Sequence, residues 1–209
     1  VITEPMTLLT DWLLAGLCLA FATRLWRRGV VAGSRSMRVL AASFAATAVG
    51  AFAGGAAHGF RPYLSATGDL LLWKITVLAI GLTTLMFVVS AACAALTRVS
   101  RRLLIGAAVL QAVVYSAWML RHDEFIWVIA DYVPAMVVVL GLQGLQWRRG
   151  EPSATWIAGG LLVSFVGAAI QASGLAPHPY FNHNDLYHVV QMGATWMLFR
   201  GGLLLRDRR

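Results

Sequence analysis

Long apolar runs, broken at short intervals by arginine, proline and glycine, set the pattern of this chain. A membrane-crossing helix needs roughly 20 consecutive, mostly apolar residues. Seven stretches meet that length: Met6 to Leu25, Val39 to Phe60, Asp69 to Leu96, Leu103 to Leu120, Phe125 to Trp147, Thr155 to Leu175 and Asn184 to Leu205. They predict an all-α, polytopic membrane protein with seven transmembrane helices in a single domain spanning residues 1–209. The connecting loops are short, and no linker, low-complexity tract or visible internal repeat suggests a second, soluble domain. The first segment is too long, and its flanks too poor in basic residues, for a cleaved signal peptide. A short leader ahead of Val1 is left open.

Composition agrees with the pattern. The 209 residues are 59% hydrophobic and 12% charged, with a mean hydropathy of +0.71, outside the range of soluble domains. The net charge of +8 raises nucleic acid as a partner, but its distribution gives a different answer. Arginines fill alternate loops: Arg24, Arg27, Arg28, Arg35 and Arg38 after helix 1, Arg98, Arg101 and Arg102 after helix 3, Arg148 and Arg149 after helix 5, and Arg200, Arg206, Arg208 and Arg209 at the end. Basic residues collect on the cytoplasmic side of membrane helices, so the N-terminus is expected outside and the C-terminus in the cytoplasm. The expected location is a bacterial inner, or plasma, membrane, with membrane lipid as partner and no nucleic acid. Cys18 and Cys93 read as small buried hydrophobes, with no metal spacing and no disulfide.

This orientation assigns a depth to each polar residue in the apolar spans. Asp11, His58, Asp69, Lys74, Asp131, Gln171, Asp185, His188 and Gln191 all fall toward the outer side. Charge at the bilayer centre costs about 2.5 to 3.5 kcal/mol on insertion scales, so such groups face the bundle and find partners. One outer polar chamber is therefore expected, above an inner half packed through the small residues of helices 2 and 6. Lys74 and Asp131, at matched depth, read most simply as a structural ion pair. Asp11 reads equally as a helix-start cap. Gln111, Gln143 and Gln171 read as interhelical hydrogen-bond glue, and Arg121 to Glu124 as solvated loop.

The cluster FNHNDLYH at residues 181–188 stands apart. Asp185 and His188 are three apart and share a helical face. His58, Asp69 and His183 come to the same end of the bundle. Imidazoles converging with carboxylates in a low-dielectric chamber suit zinc, whose bound water can act as a nucleophile. A structural polar network is the competing reading of the same residues.

These residues resemble the CREST superfamily of seven-helix membrane proteins, which includes the alkaline ceramidases. GGAAHGF resembles that branch's helix 2 motif, with His58 in a zinc-ligand position; Asp69 follows 11 residues later, and NDLYHVVQMGATW resembles the helix 7 motif, with His188 as its second histidine. Two positions depart from the family pattern: Gly54 stands where the family has a serine, and Asn184 where it has the first helix 7 histidine. The resemblance implies zinc held by His58 and His188, with His183 or Asp185 in the vacant ligand place. Asp69 or Asp185 then moves protons during hydrolysis of a lipid amide or ester. The alternative is a non-catalytic seven-helix receptor or an accessory subunit, with partner membrane subunits or copies of itself. Haem held by His58 and His188 is a weaker third reading, and retinal is disfavoured because helix 7 has no lysine.

Overall fold

The computed structural model describes residues 2–208. Seven α-helices and no named strand form among these residues: α1 (Pro5–Val31), α2 (Arg35–Phe60), α3 (Ala66–Ala95), α4 (Arg98–Met119), α5 (Phe125–Arg148), α6 (Ser153–Ser173) and α7 (His183–Gly202), with a 3₁₀ turn at Arg61–Tyr63. By length and composition, α1 to α6 are able to cross a membrane. α7, at 20 residues, is diluted by the polar residues that make it interesting: His183, Asn184, Asp185, His188, Gln191 and Arg200.

Local chemistry accounts for the helix ends. Pro5 opens α1, where its missing N–H costs nothing. The hydroxyls of Ser34 and Ser65 accept from Met37 N and Gly68 N at the starts of α2 and α3. Gly174, at φ +68°, takes the left-handed position that stops α6. Asn182 and Asp185 form a reciprocal capping box at the start of α7.

Neighbour relations give a ring. α1 packs on α2, α2 on α3, α3 on α5, α5 on α6, α6 on α7, and α7 returns to α1. α4 stands outside this ring, packed on α3 and α5, with Ala108, Tyr115 and Met119 as its buried residues. Inside, one apolar cluster links the helices, with Phe21 stacked on Phe199 at 4.2 Å and edge-on to Phe44. Small residues permit the closest approaches. A Cβ on Gly55 would sit 2.8 Å from Asp11 Cβ, and one on Gly59 would sit 2.7 Å from Leu8 Cδ2, so this glycine pair sets how near α1 lies to the end of α2.

The opposite, arginine-rich end is closed by the C-terminal tail. Asp207 accepts from Arg35 N at 2.6 Å, Ser36 N at 2.8 Å and the Ser34 hydroxyl at 3.4 Å. A carboxylate from far along the chain thus satisfies two orphan N–H groups at the positive end of α2. Burial opposes the charge on Asp207, but these donors outweigh it and hold the carboxyl below its ordinary value. Arg208 N donates to Cys93 O at 3.0 Å, and Arg101 Nη1 to Arg208 O at 3.3 Å, which ties the tail to α3 and α4. Both cysteines are buried and free.

Candidate functional site

At the end where α1 begins, α2 finishes and α7 begins, seven polar side chains meet. His58 Nδ1 lies 3.3 Å from Glu4 Oε2. The Thr7 hydroxyl faces two carboxylates, Glu4 Oε2 at 3.2 Å and Asp185 Oδ1 at 2.9 Å. Asp185 Oδ2 also accepts from Asn182 N at 2.8 Å. On the next turn, His188 Nδ1 is 2.9 Å from Thr10 Oγ1, and His188 Nε2 is 3.2 Å from Asp11 Oδ1.

The cluster grades from wet to dry. Side chains of His58 and Glu4 are 37% and 40% exposed, whereas those of His188 and Asp11 are 9% and 8% exposed. The former pair forms a mouth and the latter an interior. Proton accounting shows that the cluster is under-protonated for its geometry. A hydroxyl has one proton, and the Thr7 hydroxyl meets two carboxylates; a neutral imidazole also has one, and His188 meets both Thr10 and Asp11. The Thr10 hydroxyl also reaches its own helix, at Met6 O (2.9 Å) and Thr7 O (3.1 Å). If it donates there, His188 Nδ1 is the donor to Thr10. The contact between Nε2 and Asp11 then needs a second proton.

The expected site residues divide. His58, Asp185 and His188 are brought to this cluster. Asp69 is not joined to them; it lies in the first turn of α3, where negative charge suits the helix dipole, and pairs with Arg61 at 3.5 Å. His183 is the first residue of α7, and its ring makes no hydrogen bond or ion pair among the described residues. Asn184 turns toward α6, its Oδ1 accepting from Gln171 Nε2 at 3.4 Å. Gly54 faces Asp11 and Thr76: an added Cβ would lie 3.8 Å from Asp11 Oδ2. No set of three or more His, Cys, Asp or Glu side chains is arranged to hold a metal among the described residues. Both nitrogens of His188 and both oxygens of Asp185 already have protein partners. The donor set His58, His188 and His183, with Asp69 beside it, therefore does not fit a zinc ion in this arrangement.

Glu4, Thr7 and Thr10 escaped the sequence reading because they precede or open the first apolar run. Their signal was present: Glu4, Thr7 and Asp11 follow a three-then-four spacing that puts them on one helical face. The expected Lys74–Asp131 ion pair is corrected by the structure. Lys74 Nζ snorkels to the end of α4, 2.6 Å from Asp123 Oδ1, and donates to Met119 O at 2.6 Å and His122 O at 2.9 Å. Free carbonyls and the negative dipole end of α4 explain the choice. Asp123, expected in solvated loop, is thus an anchor. Asp131 takes Gln111 instead, whose Nε2 donates to Asp131 O and Oδ1, both at 2.9 Å. Beside it lies a cavity of about 10 Å³ lined by Thr84, Gln111 and Asp131, near the volume one water needs, roughly 10 to 15 Å³. Of the three glutamines read as glue, Gln111 and Gln171 bond across helices, while the buried Gln143 Oε1 has no partner among the described residues.

The chain matches a family of unknown function, DUF6962, over residues 6–207. It belongs to that family. The matched span takes in all seven helices of this DUF6962 member apart from Pro5. No curated protein and no solved structure matches it.

Proposed function

We propose that this protein is a membrane-embedded hydrolase of a lipid amide or ester, working at the histidine–carboxylate cluster, with the N-terminus outside, the C-terminus in the cytoplasm and the cluster toward the outer leaflet. One observation carries the reading: two imidazoles and three carboxylates, from α1 and the residue just before it, α2 and α7, converge at one end of a mostly apolar bundle. Ionisable side chains are costly in a membrane, so their convergence with titratable partners marks a candidate functional site. The resemblance to the CREST superfamily supports the same substrate class. Alternating loop arginines support the orientation.

The accessible base is His58. With Glu4 accepting from Nδ1–H, the imidazole keeps Nε2 as its acceptor, free to take a proton from water attacking a carbonyl carbon. Glu4 holds the tautomer and steadies the imidazolium that forms. The protonated His58 then gives that proton to the leaving nitrogen or oxygen, so that the amine or alcohol departs neutral and the base is restored. His188 and Asp11, deeper and nearly dry, form the second imidazole–carboxylate pair behind it. Asp185 positions Thr7 and is itself fixed by the α7 capping box.

The test is turnover by detergent-purified protein across lipid amides and esters, with His58→Ala and His188→Ala, alongside elemental analysis of each. Turnover by the wild type, lost in both variants, supports the reading. About one zinc per chain, lost in the double variant, would require the cluster to rearrange into the metal site that the CREST resemblance implies. A second reading has its own observation. The saturation of His188 and Asp185 by protein partners also suits a static core in a receptor or accessory subunit. No turnover on any lipid, with stable co-purification of another polypeptide, would favour it.

A further inference from the structure

At the arginine-rich end, α1 and α7 flank a shallow, open groove of about 520 Å³, lined by Arg24, Arg27, Arg28, Val31, Phe199 and Leu203. Arg27 and Arg28 lie three and four residues after Arg24, so each neighbours it on the helix surface. All three are exposed, and none has an ion-pair or hydrogen-bond partner among the described residues. At the same end Arg38 is engaged on Ser34 O, Arg101 on Arg208 O, Arg149 on Ala95 O, and Arg200 over Trp156 and Trp196. Arg98, Arg102 and Arg148 also have no side-chain partner among the described residues, so what sets Arg24, Arg27 and Arg28 apart is the groove they line together. Three like charges side by side without a counter-charge repel one another. They make a place where a doubly coordinated anionic oxygen group relieves that repulsion.

The rest of the lining selects among anions. Phe199, Leu203 and Val31 give the groove an apolar wall directly beside the guanidinium groups. A free anion leaves that wall wet, whereas a phospholipid covers it with the upper part of an acyl chain. The level is also right, because exposed Trp26, Trp147 and Trp196 lie in the same end region of α1, α5 and α7, and tryptophans collect at headgroup depth.

We propose that this groove is a binding site for an anionic phospholipid, its phosphate held by Arg24, Arg27 and Arg28 and its proximal acyl chain laid on Phe199 and Leu203. The site is separate from the histidine–carboxylate cluster, at the other end of the bundle, and does not depend on that cluster's chemistry.

Native mass spectrometry of the full-length, detergent-purified chain tests it, with phosphatidylglycerol, phosphatidylcholine and inorganic phosphate as separate probes. Phosphatidylglycerol is expected to bind well below the concentration at which phosphatidylcholine does. With Arg24→Gln, Arg27→Gln and Arg28→Gln combined, its affinity is expected to fall on the order of a hundredfold, from about 1 kcal/mol per basic residue near an anionic lipid surface. Arg98→Gln, Arg102→Gln and Arg148→Gln together remove the same charge elsewhere and leave the affinity within about threefold, the change expected of long-range charge alone. Val31→Asp, at an exposed wall position, lowers it without touching an arginine and guards against a misfolded triple variant. Equal losses in the two triple variants, or equal binding of the two lipids, would overturn the proposal. So would inorganic phosphate competing as well as a lipid of the same charge, which would leave a bare anion site.

Discussion

Asp11 and Asp131 are the seventh residues of α1 and α5, both buried, both one to two turns below a helix start. Their company differs. Asp131 is held by Gln111, a neutral amide that donates to its carboxylate and its carbonyl, beside room for one water. Asp11 faces His188, which faces Thr10; the Thr10 hydroxyl reaches the backbone carbonyl of Thr7, whose own hydroxyl meets Asp185 and Glu4, and Glu4 faces His58. An amide partner cannot exchange a proton near neutral pH, whereas an imidazole can. Depth and burial alone therefore do not identify a reactive carboxylate. The titratable partners do.

The largest effect should come from removing the imidazole that separates the two sites. His188→Ala is expected to lower lipid hydrolysis about 10²- to 10⁴-fold, the usual contribution of a positioned acid–base group. Asp131→Asn should leave turnover within about twofold, a difference too small to signal lost acid–base catalysis. Equal losses in the two variants would erase the distinction. The packing beneath the Asp11 site is the next point of attack. Gly55→Ala drives a methyl against Asp11 Cβ and Trp12, and should cost about 1 to 3 kcal/mol in thermal unfolding, as overpacking does. Loss of turnover without loss of stability would show that α1 yields while the cluster does not.

Asp207 extends the comparison, since it is saturated by donors like Asp131 yet lies outside the apolar spans. Asp207→Asn should cost about 0.3 to 1 kcal/mol at pH 7, the value of a negative charge at the positive end of a helix. Because its folded-state carboxyl is held below the unfolded value of about 3.9, the stabilisation is complete above that pH. It disappears as pH falls through the lower, folded value. Melting temperatures of wild type and variant should accordingly converge as the solution is acidified below the unfolded value, and a constant gap would contradict the assignment. The smallest effect belongs to Gly54→Ser. The added Cβ meets only ordinary contacts, so stability should stay within about 0.5 kcal/mol, while the hydroxyl gains access to Asp11. A marked destabilisation would mean that α2 has less room there than its backbone suggests.

Much of the architecture could be read from apolar run length: the seven helices match in number and order. Their ends could not, for a physical reason. Hydropathy locates the apolar slab, but arginine is a good helix former, so α1 runs on past Leu25 to Val31 and α2 already begins at Arg35. The convergence of His58, Asp185 and His188 followed from topology plus periodicity. Glu4 and Thr7 needed a reading of polar periodicity, which a search for apolar runs passes over. Lys74 was assigned the wrong partner because depth matching ignores that a long side chain travels toward free carbonyls at a helix end.

The position of α4 outside the ring has a further consequence. Leaving it aside, the contacts of α1, α2 and α3 map onto those of α5, α6 and α7, and the α3–α5 seam maps onto the α7–α1 seam. In this neighbour order the two triplets correspond, and the length of α4 returns the chain to the end of the bundle where α5 begins. Under this exchange Asp11 and Asp131 are counterparts. Only Asp131 has an outlying helix beside it to contribute an amide. The helix that supplies the parity of the fold is also the one that makes its two halves chemically unequal.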